Sequence, residues 1–71
     1  MNEVLPQQKL LLELLIMSGD IAVADDISNT ILERTIIECE KHGWVKRSQF
    51  GAGFHKTTVT ESGRGASGLK R

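Results

Sequence analysis

Thr30-Ile31-Leu32-Glu33-Arg34-Thr35-Ile36-Ile37-Glu38-Cys39-Glu40-Lys41-His42-Gly43-Trp44-Val45 is the stretch of this 71-residue chain on which its fold turns. Thr30 followed three residues later by Glu33 fits a capping box, in which the threonine oxygen accepts from the third helical N–H and the glutamate reaches back to the cap. Leu32, Thr35, Ile36 and Cys39 then recur at i, i+3, i+4 and i+7, one face of a helix. Lys41 and His42 place positive charge in the last turn, where it complements the helix dipole, and Gly43 supplies the stop. The spacing predicts a helix from Thr30 to about His42.

Downstream, residues 44–50 and 54–60 are rich in β-branched and aromatic side chains. Gly51-Ala52-Gly53 between them offers the positive φ angles of a short hairpin loop. Upstream, Pro6 suits the first position of a helix and Gly19 the residue just past its end, which predicts a helix over residues 6–18. Its apolar positions, Leu10, Leu11, Leu12, Leu14, Leu15, Ile16 and Met17, cover more than the stripe a surface helix buries, so part of this helix is expected to face a second copy. Between the two helices, Ile21, Val23, Ala24 and Ile27 with Asp25 and Asp26 facing out read as a short strand residue followed by two turns of helix, broken at Ser28-Asn29-Thr30. After the hairpin, Gly63, Gly65 and Gly68 each disfavour helix by ~1 kcal/mol relative to Ala. The expected division is therefore a domain over residues 1–64 and a mobile basic tail over residues 65–71.

Composition narrows the function classes. A single cysteine makes no internal disulfide, and one Cys with two His does not furnish a structural zinc site. Nine Lys/Arg balance nine Asp/Glu, yet they are segregated. Residues 1–40 hold two cations against eight carboxylates, a net −6, and residues 41–71 hold seven against Glu61 alone, a net +6. The apolar run Leu10 to Met17 is interrupted by Glu13 and falls far short of the ~20 residues that cross a bilayer. Ala22-Val23-Ala24 superficially resembles a signal-peptide cleavage site, but Glu3 and Glu13 do not suit a leader. A cytoplasmic protein with no membrane partner is the expectation.

Helix, short helix, helix and hairpin in this order describe an α+β, mostly helical, winged helix-turn-helix of three helices plus a β-hairpin wing. The run from Ser28 to Val45 resembles the recognition helix and following strand of MarR-like transcriptional regulators, with a charged pair, Gly and two apolar residues at its end. Val59-Thr60-Glu61-Ser62-Gly63-Arg64 is similar to the segment leaving the wing in that family. The resemblance implies transcription control, of bacterial or phage type, through double-stranded DNA. It puts Ser28, Asn29, Thr30, Arg34 and Ile37 toward bases or adjacent phosphates, and Lys46, Arg47, His55, Lys56 and Arg64 along the phosphates. Four or five such contacts give a slope of log K against log salt of about −4. Arg34 has two readings, a guanine contact or an i, i+4 ion pair with Glu38.

A second reading starts from Asp25, Asp26, Glu33 and Glu38, carboxylates that repel phosphate and suit a basic protein partner instead. No enzyme, cofactor or metal is expected. Cys39 falls on the core face of its helix, and Trp44 and Phe54 read as core residues under the wing rather than stacking platforms.

Overall fold

The computed structural model of the chain describes residues 3–27, 30–49 and 51–68. Helix α1 (Pro6–Ser18) is followed by strand β1 (Ile21–Ala24), helix α2 (Ile31–Lys41), strands β2 (Val45–Gln49) and β3 (Phe54–Val59), and helix α3 (Glu61–Ser67). The strands form one antiparallel sheet in the order β1-β3-β2, and α1 packs against α2, α3 and β3. Helices account for about half of the described residues, so the chain is α+β but not mostly helical.

The two long helices begin and end as expected. Pro6 opens α1, and the buried Gln8 reaches back to accept from the Leu5 N–H (3.0 Å). Its Nε2 donates to Glu38 (2.9 Å), so one side chain both caps α1 and ties it to α2. Thr30 Oγ1 accepts from the Glu33 N–H (3.1 Å), half of the expected capping box, while the Thr30 N–H goes to the Ile27 carbonyl (3.2 Å), and Gly43 takes φ +78° beyond the end of α2. The inward face of α2 is Thr35, Ile36 and Cys39, while Leu32, expected beside them, is exposed.

Two segments depart from the sequence reading. Residues 21–24, expected to lead into two helical turns, are a strand paired with β3 in the register Ile21↔Thr57 to Ala24↔Phe54. A turn at Asp25 and Asp26 follows, and among the described residues no helix lies between β1 and α2. Ile-Ala-Val-Ala is too short for periodicity to separate helix from strand. Pairing with β3, where Val23 buries itself, decides it.

The glycine-rich segment after β3 is the second departure. Thr60 caps it by accepting from the Gly63 N–H (3.1 Å) while donating to the Gly43 carbonyl (2.6 Å), and its own N–H reaches the Trp44 carbonyl (2.8 Å). A Cβ on Gly63 would collide with that same Trp44 carbonyl, so this glycine admits the helix to the core. Residues 65–67, assigned to a tail by sequence, thus belong to α3, and residues 69–71 lie outside the described residues.

Leu11, Leu12, Leu15 and Ile16 of α1 meet Val23, Ile36, Cys39, Trp44, Val45 and Val59 in one core. Alternation along β3 sends His55, Thr57 and Val59 inward and leaves Phe54, Lys56 and Thr58 on the outer face of the sheet.

Candidate nucleic-acid interface

The polar surface of α2 runs along Thr30, Glu33, Arg34, Ile37, Glu38 and Lys41, which line a shallow depression. Thr30 is occupied as the cap, Ile37 is half-buried, and Arg34 and Lys41 are exposed. Arg34 makes no ion pair with Glu38, whose Oε1 instead accepts from Gln8. Of the two readings open for Arg34, the i, i+4 ion pair with Glu38 is not formed. Ser28 and Asn29 lie outside the described residues.

The wing cations divide into paired and unpaired. Arg47 donates to Glu40 at the end of α2 (2.7 Å), fastening β2 to that helix. His55 is buried, with Nδ1 2.8 Å from the Asp25 carboxylate, and therefore does not project to solvent as a wing cation. The reason is register: the same alternation that buries Thr57 and Val59 turns His55 inward. Lys56 lies 3.7 Å from Asp20. Each pair joins the acidic half of the chain to its basic half, so folding brings the two charge blocks together at three points. The two exposed pairs, Arg47–Glu40 and Lys56–Asp20, contribute about 0 to 1 kcal/mol each, and their larger effect is to fix positions.

Lys46 and Arg64 are exposed and make no ion pair among the described residues. Lys46 stands on the outer face of the sheet opposite Thr58 and diagonal to Lys56, while Arg64 is carried by α3. Among the eight described sequence candidates, the cations stand on three elements: Arg34 on α2, Lys46 and Lys56 on the outer sheet, and Arg64 on α3. Lys41, which is not among the sequence candidates, lines the same depression. It follows Arg34 at i+7 on the same strip of α2, a spacing that the sequence already contained.

The aromatic expectations separate. Trp44 is buried, stacked against the exposed His42 ring at 4.2 Å, whereas Phe54 is 47% exposed on the outer sheet and is not a core residue. Asp25, Glu40, Arg47, Ser48, Gln49 and His55 surround a cleft between α2 and the hairpin, and its carboxylates are those engaged above.

Burial pushes the Cys39 thiol up to about 11, with the neighbouring Glu38 carboxylate adding to the effect, so the thiolate a nucleophile or ligand needs is disfavoured at neutral pH. Among the described residues no group of three His, Cys, Asp or Glu side chains could hold a metal ion, and no helix is long and apolar enough to cross a membrane. The chain matches no family model, no curated protein and no solved structure.

Proposed function

We propose that this chain is a DNA-binding protein of the winged-helix kind, acting in transcription control in the cytoplasm, with α2 in the major groove and the hairpin beside the backbone. The observation that carries the reading is the placement of α2. Its capped N-terminus and the Arg34–Lys41 strip stand exposed, and the Arg47–Glu40 bond fastens the helix to the cationic hairpin. Element order and the β1-β3-β2 sheet support the same reading, as does the resemblance of the Ser28–Val45 run to MarR-like regulators. The reading departs from a full helix-turn-helix in one respect. Among the described residues a strand and turn stand where the first of the paired helices belongs.

Arg34 and Lys41 supply groove and phosphate contacts from α2, and Lys46 and Arg64 supply phosphate contacts from outside it. Arg47 and His55 serve mainly to hold the hairpin in place. The role is non-enzymatic. Asp25 and Glu38 are held by His55 and Gln8, which takes two of its four carboxylates away from the acidic-face reading. Fluorescence anisotropy on a duplex at two salt concentrations tests the proposal. Replacing Arg34 or Lys46 by Ala should each lessen the salt slope by about 1, and replacing Arg47 should lessen it by less. Binding to a basic protein with none to duplex would favour the acidic face instead.

A further inference from the structure

One side of the α1–α2 pair presents large apolar side chains to solvent. Leu10, Leu14 and Met17 recur at i, i+4 and i+7 along α1, with Leu10 69% and Met17 64% exposed. Beyond them, Ile31 (75% exposed) and Leu32 form the far wall of an apolar groove. The stripe has the a/d spacing of a coiled-coil seam, with Gln7 one step earlier in the same repeat.

We propose that a second copy of this chain occupies this groove, the two α1 helices lying antiparallel across a two-fold axis. Charge and apolar character on the flanks select both the occupant and its direction. On one flank of the stripe stand Lys9 and Glu13, and on the other stand Leu11 and, across the groove, Ile31 and Leu32. An antiparallel two-fold pair sets like flank against like flank. With its axis at the level of Leu12, Leu10 faces Leu14 of the second copy, and the Ile31 and Leu32 walls meet each other. Lys9 then lies two residues, about 3 Å along the axis, from Glu13 of the second copy, within reach of its long side chain. A parallel pair would press Lys9 and Glu13 against the apolar wall, leaving them only each other, at i, i+4 on the same helix, as charged partners. Self-complementarity therefore satisfies the groove without another protein, and this inference does not depend on DNA binding.

Sedimentation of the full chain over a concentration series, with circular dichroism of each variant as a check on folding, decides it. The wild type should show a monomer–dimer equilibrium, and Leu14→Asp should be a folded monomer. Lys9→Glu and Glu13→Lys should each weaken the dimer at least about tenfold. The double variant K9E/E13K, which restores opposite charges across the axis, should recover most of that loss. A wild type that stays monomeric at millimolar concentration, a dimer that survives Leu14→Asp, or a double variant no better than the singles would overturn the proposal. If Leu14→Asp fails to fold, the single and double charge variants decide alone.

Discussion

The segment from Gly19 to Ile27 and the segment from Thr60 to Gly68 flank the same central block of α2, β2 and β3, and they resolve in opposite senses. The first carries helix-compatible spacing and becomes a strand and turn. The second carries three glycines and becomes a helix. In each case a contact distant in sequence outweighs local propensity: β1 completes its hydrogen bonds on β3, and α3 closes over the Trp44 carbonyl through the one residue type that fits there. The functional consequences differ as well. The strand does not line the apolar groove on α1 and α2, whereas the helix completes the core on the other side of α1.

Four substitutions sharpen this contrast, and chemical denaturation followed by circular dichroism measures them all. Gly63→Ala should have the largest effect, at least about 3 kcal/mol, because a Cβ there meets backbone that has nowhere to move. A loss below ~1 kcal/mol, the direction of helix propensity alone, would mean α3 does not need that close approach. Val23→Ala should cost about 2 kcal/mol by emptying the buried position of β1. A neutral result would mean that β1 is not held by the core. Thr60→Ala should cost about 1.5 to 2 kcal/mol, since it removes both the α3 cap and the bond to Gly43. Thr30→Ala should cost about 1 kcal/mol or less, because that cap stands in solvent. If the two threonines proved equal, the anchoring of α3 to the 43–44 backbone would carry no weight.

These comparisons also mark what the sequence makes legible. Pro6, Gln8, Thr30 and Gly43 act within a few residues of themselves, so the two long helices are readable to within a residue. Thr60 followed by Gly63 is the same cap signal as Thr30 followed by Glu33, but its meaning depends on a carbonyl sixteen residues upstream of Thr60. The candidate site divides in the same way. Exposure of Arg34 and Lys46 follows from helix and strand periodicity, and so does the burial of His55 once β3 is read with Thr57 and Val59 facing inward. The His55–Asp25 contact and the Lys56–Asp20 ion pair join residues thirty or more apart, which composition does not reveal. A neutral chain split into blocks of −6 and +6 is, once folded, a molecule whose free cations are fewer and differently placed than the charge count alone implies.

The account rests most directly on those free cations, and one titration addresses them: binding of a duplex by the wild-type chain as a function of salt. With Arg34, Lys41, Lys46 and Arg64 engaged, log K should fall against log salt with a slope of about −3 to −4. Absence of binding at micromolar protein, or a slope near zero, would contradict the assignment of this surface to DNA.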